Sequence, residues 1–323
     1  IIMSPTAAED EECSEDDGTC TAYMVPSKPT PTAHSLRSIR GPRMATRVWP
    51  VEEPKALALI VHGGGWHSGY FGELAMSLNE VGVFVAAYDQ VGLGYSDPEP
   101  DAPEGYYHVN TLKDVVDDVY SAISWAKLEA GKDDLPLFLI AESAGAPIAL
   151  SAALEKKDRF LKVDGVVLLG GLVRIGRGIL PPRPIVKILL FLANFFPRLK
   201  MPASDTGATF DEAFGDRKWA PIARSDPAVM VSIPATLGAV SVLIGTGEGF
   251  LEVAGDFDTP LLAIHGRDDV RTELSGVKEL VEKAPTAELL VLDTSGHQLL
   301  QDIPSIKKTA IAKLAEWIEG RLV

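Results

Sequence analysis

The stretch LIAESAGAPIAL, residues 139–150, sets one serine between small residues at the end of an apolar run. A serine hydroxyl becomes a nucleophile only when a base takes its proton and an acid orients that base, so Ser143 requires a histidine and an acid elsewhere in the chain. Its surroundings read A-x-S-x-G, one methyl away from the usual G-x-S-x-G of a crowded strand-to-helix turn. A serine that merely caps a helix is the competing reading. Of the six histidines, His297 in DTSGHQLL follows the last strand-like run, where a base arriving late in the chain belongs. His62 and His265 each end such a run as His-Gly, the place of a ring that braces a turn, while His34 and His108 lie in connecting segments. Asp268 and Asp269 in IHGRDDV come between and complete the order Ser, Asp, His, which differs from the orders of the two large serine protease folds.

An attacked carbonyl also needs donors for its oxygen. LIVHGGGWHSG, residues 59–69, brings glycines directly after an apolar run, where backbone N–H groups can approach a substrate closely. Each such donor contributes about 3–4 kcal/mol in the transition state. The expected pair is the N–H of Gly64 and that of Ala144, the residue after the serine. A phosphate-cradling loop is excluded by spacing, since Ser68 stands where G-x-G-x-x-G requires glycine and no Lys-Ser/Thr follows. GTGEG at 245–249 lacks both the spacing and a preceding strand. No H-E-x-x-H motif is present, and neither a metal nor an organic cofactor is expected.

The elements that must hold these residues follow from hydrophobic periodicity. Ala56–Val61, Val83–Tyr88, Leu137–Ala141, Val166–Leu169, Leu261–Ile264 and Glu288–Leu292 read as buried strands. Between them Leu112, Val115, Val116, Val119, Ile123 and Ala126 recur at helical spacing, closed by Gly131; the signal repeats after Thr272 and from Ile306 to Ile318. Gly145 to Glu155 reads as the helix that leaves the serine. Such alternation predicts an α/β fold, a mostly parallel sheet with helices on both faces and ligands at the carboxyl ends of the strands. It fails between 172 and 256, an interval read as a cap inserted over the sheet. The expected organisation is therefore an acidic tail at 1–33, core at 34–171, cap at 172–256 and core again at 257–323.

Composition limits the partners. The run from Glu9 to Asp17 carries seven acids and no base, and removing them from the formal charge of −15 leaves −8. A block of this kind reads as a solvated tail, and an acidic chain without a basic stripe is not expected to bind nucleic acid. Cys13 and Cys20 are the only cysteines, both in that tail, and their pairing is left open. The first residues lack the basic-then-apolar order of a secretory signal, and no stretch reaches the roughly 20 consecutive apolar residues of a membrane span. A soluble cytoplasmic protein is expected.

Five blocks carry a resemblance. VHGGGWHSGYFGELAMSLNEVGVFVAAYDQVGLGYSD (61–97), LFLIAESAGAPIAL (137–150), IARSDPAV (222–229), LLAIHGRDD (261–269) and SGHQLL (295–300) resemble, in order, the successive motifs of the monoacylglycerol lipase and lysophospholipase family. The resemblance implies the α/β-hydrolase fold, Ser143 as nucleophile, His297 as base and, within H-G-x-x-D, Asp269 rather than Asp268 as the acid. It further implies Gly64 and Ala144 as oxyanion donors and the 172–256 interval as a lid over an acyl-chain tunnel. Two positions depart from the family pattern. The turn reads A-x-S-x-G-A, which bears on rate, and Trp66 stands where a charged or small residue is common, which bears on the leaving group.

The implied reaction is hydrolysis of a single-chain lipid ester such as monoacylglycerol. An esterase for small aromatic or phenolic esters of the same fold, and a silent α/β-hydrolase that binds a hydrophobic ligand, are the alternatives. IVKILLFLANFF, residues 185–196, is apolar nearly all round and too short to cross a bilayer. Full burial is one reading of such a helix. The other rests on Arg174, Arg177, Arg183, Lys187, Arg198 and Lys200, with no acid from 172 to 204: a lid helix that lies on anionic lipid, with Phe191 and Phe195 as substrate contacts.

Overall fold

The computed structural model describes residues 32, 34–155, 161–176, 179, 183–201, 207–230, 232 and 234–322. Cys13, Cys20 and the acidic run lie outside the described residues. A small hairpin, β1 (Leu36–Arg37) and β2 (Arg43–Met44), precedes the main sheet. That sheet contains β3 (Thr46–Trp49), β4 (Ala56–Val61), β5 (Val83–Tyr88), β6 (Leu137–Glu142), β7 (Gly165–Leu169), β8 (Leu261–Gly266) and β9 (Ala287–Leu292). Their order is β3-β5-β4-β6-β7-β8-β9, parallel throughout except for the antiparallel pair of β3 with β5.

The continuous apolar sequences of β4 to β8 follow from burial on both faces. Leu57, Leu59 and Val61 of β4 face one core with α2 (Leu112–Ala130), α3 (Gly145–Leu154) and α8 (Leu274–Lys283). Ala58 and Ile60 face the other, with α1 (Gly72–Glu80) and α9 (Pro304–Glu319). The long α2 is closed at both ends. Thr111 and Asp114 form a capping box, and Gly131 takes the left-handed conformation with φ 67°, an arrangement in which the cap alone is worth about 1 kcal/mol. Strand β3 escapes sequence reading because Arg47 interrupts it; the guanidinium is fully buried and pairs with Asp89 at 3.0 Å.

Residues 172–256 hold α4 (Arg183–Ala193), α5 (Gly207–Glu212), α6 (Trp219–Ser225) and α7 (Leu237–Val253). The C-terminal end of α7 buries Phe250 and Leu251 in the same core as α3 and α8. One expectation from sequence is corrected here. The helical run Leu237–Asp256 is 20 residues long, and its most apolar 18 residues have a mean hydropathy of 1.4, long and apolar enough to cross a membrane. Glycines and Glu248 and Glu252 broke up the apolar run in the sequence. In the structure Leu237, Ala239, Phe250 and Leu251 pack inward, and a Cβ on Gly247 would meet the Leu172 carbonyl oxygen at 2.7 Å.

The apolar helix α4 is not buried. Ile185, Ile188, Phe191 and Phe195, spaced along one face, are 47 %, 57 %, 63 % and 63 % exposed, and Phe196 and Leu199 extend the patch. Part of the positive charge around it is already spent. Arg174 pairs with Glu279 at 2.9 Å and Glu248 at 3.6 Å, and Arg198 pairs with Asp101. Lys187 is exposed, and Arg177 lies outside the described residues.

Candidate active site

Ser143 sits between β6 and α3 with φ 47°, the one positive φ among the described non-glycine residues. A side chain in this conformation costs about 1–3 kcal/mol and persists only where the surroundings hold it. Here the Ser143 N–H donates to the Leu169 carbonyl at 3.0 Å, and its own carbonyl accepts from Ala146 and Leu172. Gly145 is required by packing, since a Cβ there would fall 2.2 Å from the Val61 carbonyl oxygen. Ala141 has no such constraint; it lies in the strand opposite Val61, where a methyl fits. The helix that follows begins at Ala144 without a side-chain cap, so its first N–H groups and the positive end of the helix dipole face the turn.

His297 and Asp269 arrive from the ends of neighbouring strands. His297 Nε2 lies 2.8 Å from Ser143 Oγ, and Nδ1 lies 2.8 Å from Asp269 Oδ2. A carboxylate only accepts, so the ring proton is on Nδ1 and Nε2 offers its lone pair to the serine. His297 is 4 % exposed, and its backbone N–H donates to the Ala213 carbonyl at 2.8 Å. Asp269 Oδ1 accepts from the N–H groups of Arg271 at 2.7 Å and Thr272 at 3.1 Å, and Oδ2 also accepts from Thr272 Oγ1 at 3.0 Å. Burial pushes this carboxyl up, but attraction and hydrogen bonding from His297 outweigh it and hold the group below the usual range. Asp268, by contrast, is exposed and does not cap the next helix, whose N-cap residue is Glu273.

The glycine turn lies against the same corner. A Cβ on Gly63 would touch Ser143 Cβ at 3.0 Å. His62 braces the turn, with Nδ1 donating to the Gly63 carbonyl at 2.8 Å and Nε2 accepting from the Gln90 N–H at 2.9 Å. Gly64 is half-buried. Trp66 is 2 % exposed, stacked on Tyr70 at 3.9 Å with Phe214 at 6.0 Å, and its buried indole N–H has no partner among the described residues. Phe191 of α4 and Phe195, two residues past its end, have ring centroids 5.3 Å apart and both face outward, not into the site.

The other histidines have structural partners. His265 bonds the Gly266 carbonyl and Thr272, His108 bonds Thr236 and Asn110, and His34 pairs with Glu129. His67, passed over in the sequence, ties the turn to the cap through Asp226 at 2.9 Å. Thr272 and Glu142 were also missed. Thr272 announces itself as a hydroxyl three residues after an acid; Glu142 carries no signal beyond adjacency to the serine. Among the described residues no group of three or more His, Cys, Asp or Glu is arranged to hold a metal ion.

A serine within hydrogen-bond distance of an oriented imidazole, beside a glycine turn and a helix start, is arranged for acyl transfer. Residues 52–304 match the family model Hydrolase_4, described as serine aminopeptidase, S33. Human monoglyceride lipase is 26 % identical over 305 residues, 93 % of this chain and 94 % of that protein. The monoacylglycerol lipase of Mycolicibacterium smegmatis is 24 % identical over 297 residues, 91 % of this chain and 99 % of its own. A soluble variant of monoglyceride lipase from Saccharomyces cerevisiae, solved with a substrate analog, has a TM-score of 0.76 at 21 % identity and covers 93 % of this chain and 98 % of that one. This structural likeness carries the α/β-hydrolase fold.

Proposed function

The chain belongs to the Hydrolase_4 family, serine aminopeptidase S33, and we propose that it cleaves monoacylglycerol or a similar single-chain lipid ester by way of an acyl-enzyme. It is a carboxylic ester hydrolase similar to the monoglyceride lipases. The observation that supports the mechanism is the continuous hydrogen-bonded line from Asp269 through His297 to Ser143. In this reading His297 takes the Ser143 proton as Oγ attacks the ester carbonyl. The N–H groups of Gly64 and Ala144 receive the oxyanion. Collapse of the tetrahedral adduct breaks the bond to the alcohol, which leaves with the proton from His297, and water then repeats the cycle on the acyl group. Trp66, under the turn, shapes the side from which the alcohol leaves.

The exposed stripe Ile185, Ile188, Phe191 and Phe195 supports a second part of the proposal, a cytoplasmic enzyme whose cap rests on a lipid surface. Phe191 and Phe195 then contact the bilayer that holds the substrate. Hydrolysis of a panel of long-chain monoacylglycerols, short-chain esters and aromatic esters tests the substrate class, and Ser143→Ala tests the nucleophile. Preference for long-chain monoacylglycerol, with a loss on the order of 10³-fold or more in kcat in Ser143→Ala and no change in fold, is the expected outcome. Preference for phenolic esters overturns the substrate, and undiminished activity in Ser143→Ala overturns the mechanism.

A further inference from the structure

Glu142 ends β6 beside the serine and is 1 % exposed. Its Oε2 has no hydrogen-bond partner among the described residues. The donor that reaches this carboxyl is the backbone N–H of Gly63. A Cβ on Gly63 would lie 3.3 Å from Glu142 Oε2 and 3.0 Å from Ser143 Cβ, so carboxyl, turn and nucleophile are packed without space between them. The Gly63 carbonyl is taken by His62 Nδ1. With both of its backbone polar groups engaged, Gly63 is a fixed post, and the next N–H, that of Gly64, is the one left to face a substrate oxygen. A buried carboxylate with so few donors is strongly disfavoured; burial pushes Glu142 up to about 7 despite His297 and the Gly63 N–H.

We propose that Glu142 is a positioning residue, whose carboxyl clamps the Gly63 peptide against the elbow and thereby aims the Gly64 N–H at the oxyanion. The proposal rests on the reading of Ser143, His297 and Gly64 given above. It departs from a purely structural role in one measurable way: a misaimed oxyanion donor lowers kcat and leaves KM, and a side chain that keeps an acceptor for the Gly63 N–H restores kcat. Around the carboxyl, His62 is occupied by Gly63 and Gln90, and Leu169 of β7 lies alongside in the sheet.

The experiment compares wild type, Glu142→Gln, Glu142→Ala and Ser143→Ala on a short water-soluble ester from pH 5 to 10. Glutamine keeps a carbonyl oxygen for the Gly63 N–H. Glu142→Gln is expected to retain kcat within about 3-fold of wild type. In Glu142→Ala kcat falls about 10-fold or more with KM little changed, as for a misaimed oxyanion donor. Wild-type kcat in Glu142→Ala, or a loss of more than about 10-fold in kcat in Glu142→Gln, overturns the proposal. The glutamine variant decides even if the alanine variant does not fold. Full activity in Ser143→Ala would instead indict the underlying mechanism.

Discussion

Asp269→Asn alters the relay with almost no change of shape. Oδ1 holds the N–H groups of Arg271 and Thr272, at 2.7 and 3.1 Å, and an asparagine carbonyl keeps both bonds. The amide NH2 then stands where Oδ2 was, facing His297 Nδ1 at 2.8 Å. Because NH2 donates, Nδ1 has to accept and the ring proton moves to Nε2, leaving no lone pair for the Ser143 hydroxyl. Restoring the productive tautomer forfeits a charge-assisted hydrogen bond worth about 1.5–3 kcal/mol. The imidazolium formed during attack also loses a carboxylate about 4 Å from its charge, about 4 kcal/mol at an effective dielectric of 20. Together these give about 5.5–7 kcal/mol, or a loss on the order of 10⁴-fold or more in kcat, the order that a wrong tautomer produces in serine proteases. Initial rates on a short soluble ester from pH 5 to 10, with thermal unfolding to verify the fold, measure it. A wrong tautomer is not a titration, so no pH restores the rate. Asp268→Asn, at an exposed side chain, should stay within about 2-fold. An Asp269→Asn enzyme that keeps more than about a tenth of kcat, or a larger loss in Asp268→Asn, refutes the orientation argument.

Glu142 gives a pH-dependent stability with a definite sign. The folded chain keeps its proton up to about 7 whereas the ordinary value is 4.5; over that window the unfolded chain binds fewer protons, so stability falls as pH rises, by about 3 kcal/mol at 1.36 kcal/mol per unit. Glu142→Gln lacks this slope, and urea unfolding free energies of the two proteins that stay parallel from pH 4.5 to 7 would count against a buried neutral acid. Replacing Phe191 and Phe195 together by Ser should reduce sedimentation with anionic liposomes and slow lipid-ester turnover several-fold, while a short ester is cleaved as before. If the wild type itself stays in the supernatant at low salt, the lipid-surface reading fails.

What could be read from the sequence was what lies close in the chain or repeats along it. The strands β4 to β8 declared themselves as apolar runs because parallel strands are buried on both faces, and the serine because its turn tolerates only small neighbours. Asp269 was separated from Asp268 by family pattern alone; the physical reason, a carboxyl pulled inward by two backbone N–H groups and Thr272, exists only in the folded loop. Strand β3 stayed hidden since the partner that lets Arg47 be buried, Asp89, is far along the chain. For α4 the sequence could not choose between burial and exposure. An apolar helix is normally buried, and the choice depends on how the interval 172–256 folds back.

The attachments of the cap divide it into two parts with different consequences for function. The α5–α6 side is fastened to the machinery: the Ala213 carbonyl accepts from the N–H groups of His297 and Gln298, at 2.8 and 2.9 Å. Asp226 accepts from the Tyr70 hydroxyl and pairs with His67, and Met230 donates to the Gly65 carbonyl at 2.9 Å. A substitution there disturbs the base and the glycine turn together, and every ester suffers alike. Among the described residues the exposed face of α4 has no such bond to either segment; Phe191 and, just past the helix, Phe195 touch each other and the outside. Loss of these rings therefore leaves the relay from Asp269 to Ser143 as it was. This is why the paired serine substitution can separate delivery of a lipid substrate from chemistry on it, and why an equal loss on lipid and short esters would show that α4 acts through the site and not through the surface it presents.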